Sequence, residues 1–196
     1  MSNLCLNFIE LKKTFSNREE LEQDIMFKFL NALENLTEND EICFFRYLYP
    51  DPKDIHASDL VDWHYEHWGV KKDCSFTYDS IQSHNLELNI SENEIEFSID
   101  FDTDWVGPIK FYEYLTEKGY EIYAEFHDEA VGLIGKYSSK DGYEEDEYTI
   151  PTEAEDYTDE EKFELEKIYE QLDKKYKMFD ANYLRLEKGS NRCITH

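Results

Sequence analysis

Two groups of residues in this chain have the types and spacing to do chemistry. The first is His64, Glu66 and His67. His64 and His67 are three residues apart, so on a helix they share a face, and Asp62 or Asp73 lies close enough in sequence to add an oxygen ligand. A zinc site needs a third and fourth ligand converging from elsewhere, and His56, His84 and His127 show no metal-binding spacing. The competing account is packing. Trp63 and Trp68 bracket the pair and would hold an inserted segment against a sheet, with Glu66 pairing with Lys71 or capping a backbone amide. The second group is Asp100, Asp102 and Asp104, alternating at a strand end that Asp128 and Glu129 could approach. Clustered carboxylates hold Mg²⁺ on phosphate substrates or act as acid and base. In a chain with 46 acidic residues such a cluster also arises by chance. There is no Gly-rich phosphate loop. Gly132 and Gly135 fall inside a strand pattern and mark a bulge or a close helix approach. No Ser/His/Asp or Cys/His order stands out. These readings favour a protein without catalytic residues, resident metal or cofactor.

The elements that would position these groups follow from periodicity. Leu4 to Ile9 is apolar on both sides, as in a central strand. Ser16 or Asn17 can cap a helix over roughly 17–36, with Leu21, Ile25, Phe29, Ala32, Leu33 and Leu36 on one face. Ile42–Phe45 reads as a strand or a buried helical turn, and Tyr49-Pro50-Asp51-Pro52 ends it. Asp59–Trp68 is a short helix with Gly69 at its C-cap. Cys74, Phe76 and Tyr78 alternate as a half-buried strand. Ile95, Phe97, Ile99 and Phe101 alternate more cleanly, with a wet acidic face between them. Pro108 opens a helix carrying Ile109, Tyr112 and Leu115, ended by Gly119. Residues 121–126 form a strand, 130–137 a Gly-interrupted strand, Asp141-Gly142 a hairpin turn, and 147–150 a short edge strand. The order is a split β-α-β arrangement in an α+β fold, with helices on one side of an antiparallel-rich sheet. Leu4, Leu6, Phe29, Leu33, Ile99, Ile109, Leu115 and Ile122 are its expected core.

Charge is the strongest global signal. Against 46 acids stand 20 Lys and Arg, a formal net charge of −26 on 196 residues. A small domain usually needs a net charge of only about 2–8 in magnitude to stay soluble; the excess creates a long-range negative field that draws basic surfaces and repels phosphate backbones. The acid is concentrated. Residues 141–173 hold fifteen acidic side chains and two lysines, whereas Lys174, Lys175, Lys177, Arg185, Lys188 and Arg192 turn the end of the chain basic. Thr158 and Glu161 match a capping box, opening a helix with Phe163, Ile168, Leu172 and Tyr176 as a rough stripe. Cys5, Cys43, Cys74 and Cys193 are too scattered for a zinc cluster and read as reduced thiols of a cytosolic protein. No apolar run approaches a membrane span or a signal segment.

Several pieces fall in a familiar order. Asn3-Leu4-Cys5-Leu6-Asn7 resembles an N-W-C-x-N strand, and Leu48-Tyr49-Pro50-Asp51-Pro52 an I-I-P-x-P turn. Trp63 to Lys71, with Glu66, Trp68 and Gly69, resembles W-x-x-E-N-W-G-T-K. Phe101 to Ile109, with Thr103, Trp105 and Pro108, resembles F-x-T-A-W-S-P-P-I, and Gly132 to Gly135 the strand that follows. Together they resemble the YubB-like ferredoxin-fold family of phage and plasmid proteins over residues 1–150. His67 stands where the family has Asn, Asp104 where it has Ala, and Gly107 where it has Pro. The resemblance implies a ferredoxin-like domain at 1–150 with an insert at about 37–72, a mobile-element setting in a bacterial cytoplasm, and a structural role for the Trp-Gly and Thr-x-Trp motifs. It carries no activity. Residues 151–196 would be an acidic helical extension followed by a basic tail.

Field and setting together point to a protein that inhibits a host nucleic-acid-binding protein, of the anti-restriction or anti-CRISPR kind, by presenting carboxylates where that host protein expects phosphates. The partner would be a protein with a basic surface, without direct contact to nucleic acid or membrane. Glu155, Asp156, Glu160, Glu161, Glu164 and Asp173 are the expected steering charges, and Tyr157, Tyr169 and Tyr176 the expected exposed aromatic contacts. The alternative is a non-catalytic structural or regulatory adaptor, including a homodimer.

Overall fold

The computed structural model of the chain describes residues 4–83, 86–150 and 157–180. In chain order the elements are β1 (Leu4–Thr14), α1 (Arg18–Gln23), α2 (Ile25–Glu34), β2 (Glu41–Cys43), α3 (Phe44–Leu48), α4 (Leu60–His67), β3 (Ser75–Thr77), α5 (Tyr78–Ser83), β4 (Glu87–Ile90), β5 (Glu94–Asp104), α6 (Ile109–Glu117), β6 (Glu121–Asp128), β7 (Leu133–Ser138), β8 (Gly142–Glu147) and α7 (Asp159–Lys175). The fold is mixed α+β. Six strands form one sheet in the order β4-β5-β1-β6-β7-β8, every neighbouring pair antiparallel, and β2 pairs with β3 in a small second sheet.

β1 is central, as its apolar run predicts, but its register is the reverse of the expected one. Cys5, Asn7, Ile9 and Leu11 face the helices and are buried, while Leu4 and Leu6 point the other way and are exposed. A period of two means that one misassigned residue turns the whole strand over. Here the misleading residue is Asn7. In its core position its Nδ2 donates to Cys5 O and Thr103 Oγ1, both at 2.8 Å, which satisfies the donors of the buried amide, while its Oδ1 has no hydrogen-bond partner among the described residues.

The inward rows of β1, β5 and β6 meet α2, α3 and α6 in the main core. Phe29, Leu33, Ile99, Leu115 and Ile122 lie within it as expected, and Ile109 packs against its edge. Phe44 is central, with edge or tilted ring contacts to Phe29, Phe76, Phe101 and Phe111. The expected helix at 17–36 is two helices. Asp24 leaves helical geometry at ψ 143, and its Oδ1 accepts from Met26 N–H, so it caps α2 where α1 ends. Tyr78 does not extend β3 but begins α5.

The hairpin falls at Asp141-Gly142 as predicted, but the last strand is Gly142–Glu147 rather than 147–150. The close approaches at Gly132 and Gly135 are to the sheet itself, not to a helix. Gly132 has φ +70, and a Cβ there would lie 2.1 Å from Tyr148 O; one on Gly135 would lie 2.3 Å from Cζ of Phe126.

α7 covers the opposite face of the sheet. Leu165, Tyr169 and Leu172, followed by Tyr176 and Phe179, pack on Ile134 and Tyr148 in a second apolar cluster. The result is three layers at the β6-β7-β8 end: helices, sheet, α7.

Candidate partner-binding surface

α7 begins as its sequence demands. Thr158 Oγ1 accepts from Glu161 N–H, and Glu161 Oε2 accepts from Thr158 N–H at 2.7 Å. Glu161 is therefore a capping residue as well as a surface charge. The outer side of the helix carries Glu160, Glu164, Glu166, Glu170 and Asp173, all exposed. Beside its first turns lies a shallow groove of about 460 Å³, between Thr149 and Tyr157 on one side and Glu160, Glu164 and Ile168 on the other.

The aromatic part of the expected surface is corrected. Tyr169 and Tyr176 are both 2% exposed. Tyr169 OH donates to Thr149 O at 2.6 Å and Tyr176 OH to Asp146 Oδ2 at 2.6 Å. The apolar stripe of α7 needs these rings to reach across the sheet, so they cannot contact a partner. Tyr157 is half-buried at the groove, and the exposed apolar residues on the helix are Phe163 and Ile168. Glu155 and Asp156 lie outside the described residues. Some acid is also neutralised within the chain: Lys175 bridges Glu144 and Asp146 at 2.9 and 2.6 Å, and Lys136 pairs with Glu144 at 2.8 Å.

The Trp-Gly motif builds the insert. Trp68 is fully buried, stacked on His64 with centroids 3.9 Å apart, and its Nε1–H donates to Tyr49 O. His64 Nδ1–H donates to Lys71 O at 3.0 Å, and Nε2 faces Asp51 Oδ1 at 3.0 Å. Trp63 is half-buried and stacks on His67, whose Nδ1 reaches Trp63 O. Gly69 takes φ +83 after the helix. The expected Glu66–Lys71 pair does not form: both are exposed, and it is Lys72 that pairs, with Asp104 at 2.9 Å. The two motifs meet where Trp68 O accepts from Phe111 N–H, one turn beyond Pro108. Thr103 is buried, and Trp105 is half exposed.

The carboxylates of the second group are dispersed. Asp104 is held by Lys72, while Asp128 is buried on the far strand and accepts from Ala130 N–H. Among the described residues no three His, Cys, Asp or Glu side chains are placed to share a metal ion. Cys5 and Cys74 are buried, free thiols whose pKa burial pushes up to about 12, far from the thiolate a nucleophile needs. Cys193 lies outside the described residues. Among the described residues no helix is long and apolar enough to cross a membrane.

A polar pair missed in the sequence joins α7 to the sheet. Glu125 is fully buried and accepts from the backbone N–H groups of Lys177 and Met178 at 2.9 and 2.7 Å, and from Tyr123 OH. Nearby, His127 lies 2.7 Å from Tyr148 OH. Alternation marks positions 125 and 127 as one face, but the layer that buries them comes from about fifty residues away.

Burial pushes the pKa of His127 down to about 4, whereas an unfolded histidine titrates near 6.5. Between these values the unfolded chain binds the extra proton, so the stability that neutral His127 contributes is full above about pH 6.5, is lost as the pH drops toward 4, and changes no further below. At about 1.4 kcal/mol per pKa unit the loss is on the order of 3 kcal/mol. Denaturation curves at pH 7.5 and 4.5 should show this fall, and His127→Phe should reduce it; an equal fall in the variant would place the acid lability elsewhere.

No protein-family model, curated protein or solved structure matches this chain.

Proposed function

We propose that the chain is a mobile-element protein that binds a host nucleic-acid-binding protein and inhibits it through an acidic, phosphate-mimicking surface. The observation that carries this reading is the outer side of α7. Glu160, Glu164, Glu166, Glu170 and Asp173 stand exposed along one helix of a chain with net charge −26. Such a row accelerates encounter with a basic groove and repels competing nucleic acid. The protein acts by binding rather than catalysis, in a bacterial cytoplasm.

The strand order supports the finer fold assignment. β1, β4, β5 and β6, linked through α2 and α6, follow the β-α-β-β-α-β path, and their order in the sheet is second, third, first, fourth. This path supports a ferredoxin-like reading, with β7, β8 and α7 as additions, and it agrees with the resemblance to the YubB-like family over residues 1–150.

The test is affinity capture from bacterial lysate at low and high salt, with mass spectrometry of the bound proteins. Enrichment of nucleases or other nucleic-acid-binding effectors, released by salt, is expected. Capture of proteins without basic nucleic-acid-binding surfaces would contradict the reading.

A further inference from the structure

We propose that the end of the sheet where β1 begins and β5 and β6 finish is a second protein-docking surface. Its anchor is Trp105, and its partner presents an apolar contact ringed by arginine or lysine. The proposal rests on the preceding reading only in taking the partner to be a basic protein.

The apolar residues come from three strand ends. Leu4 pairs with Asp104 and Leu6 with His127, so the first residues of β1 lie between the turn after β5 and the turn after β6. Leu4, Leu6, Trp105, Val106 and Val131 are all exposed there, Trp105 to 51%. The surface also explains why Leu4 and Leu6 point away from the core. Isolated exposed apolar residues are ordinary; five of them brought to neighbouring strand ends and their turns mark a candidate interaction site.

Trp105 itself is held in an unfavourable backbone. Its φ is +72, the one positive value at a non-glycine among the described residues. Val106 N–H donates to Asp104 O at 2.9 Å, closing a tight three-residue turn around it. A turn of this kind is rare and strained for a bulky residue. The surroundings hold it in place: Thr103 Oγ1–H donates to Val106 O at 2.6 Å and accepts from the buried Asn7 Nδ2. Glycine would take this φ without strain. The indole does not offset that strain by burial, since half of it is in solvent. Strain kept at an exposed aromatic points to contact with something outside the chain, and Trp is the residue type most enriched among dominant interface contacts.

The rim selects the occupant. Asp102 and Glu129 are exposed at these strand ends, and Asp104 pairs with Lys72. A second copy of this chain carries the same net charge of −26 and would be repelled at long range. Nucleic acid and anionic membranes would be repelled. A basic protein segment is attracted, and an arginine of that segment could stack on the indole face.

The test uses the full chain and a synthetic amphipathic helical peptide with leucine on one face and arginine on the other. Titration calorimetry in about 0.3 M salt, where long-range attraction is screened, compares the wild type with Trp105→Gly and with Glu160→Lys/Glu164→Lys. Trp105→Gly is expected to weaken binding by about tenfold or more, while melting at the same or a higher temperature. The charge reversals are expected to change the affinity less than about threefold at that salt. Binding by Trp105→Gly within twofold of wild type, or a markedly lower melting temperature, would overturn the proposal. A tenfold loss confined to the α7 variant would overturn it too, yet leave the acidic-helix reading standing. A wild-type dimer in sedimentation that Trp105→Gly makes monomeric would replace the basic partner by a second copy.

Discussion

Trp68→Ala should lower stability by about 3–5 kcal/mol, the range for truncating a well-buried large aromatic. The indole is completely buried, stacks on His64, and lies 5.6 Å from the Phe45 ring. Its loss leaves a cavity, an unsatisfied Tyr49 carbonyl and an unsupported histidine ring between Lys71 O and Asp51. The melting temperature should fall on the order of 10 °C for a domain of this size. Trp63→Ala should cost much less, because Trp63 is half-buried and its stack on His67 lies at the rim. Equal melting of wild type and Trp68→Ala would mean that the Trp-Gly motif does not hold the insert to the core.

Glu125→Ala should detach α7. The carboxylate receives two backbone N–H groups and the Tyr123 hydroxyl in a fully buried position. Hydrogen bonds to a charged acceptor are worth about 1.5–3 kcal/mol each, without strict additivity; a loss of about 3 kcal/mol is expected. Glu125→Gln keeps the shape but turns an amide N–H₂ toward a backbone N–H, so it should recover little. Because the partners are Lys177 and Met178, hydrogen exchange should quicken first in α7 and its following turn, and later in β1 and β5. Uniform quickening would show that Glu125 supports the whole sheet rather than the docking of one layer.

The parts legible in the sequence were those with one-sided periodicity. β5 shows it best: Ile95, Phe97, Ile99 and Phe101 alternate with the polar residues Glu96, Ser98 and Asp100 and are all buried. The α7 capping box and the Gly69 helix end were legible for the same reason, since their chemistry is local. Non-local effects were not legible. Asn7 in the core depends on Thr103, almost a hundred residues away. Tyr169 and Tyr176 read as exposed contacts because the sheet face that buries them has no signal within α7 itself. Glu125 reads as one more acid in an acidic chain until Lys177 and Met178 close over it. Trp105 was visible as a motif residue, but its positive φ and half exposure belong to the folded turn.

The central claim concerns the charges on α7, and the capping role of Glu161 decides how to test it. Reversing Glu161, or Glu160 beside it in the first turn, would weaken the helix start as well as the field, so the informative variant is Glu164→Lys/Glu166→Lys/Glu170→Lys, three exposed positions beyond the first turn. The measurement is the association rate with the captured basic partner by surface plasmon resonance across a salt series. The account predicts slower association at low salt and a shallower dependence on ionic strength, because attractive long-range terms are removed, with an unchanged melting temperature. Association at the wild-type rate and salt slope would make the outer side of α7 a solvated face and contradict the account.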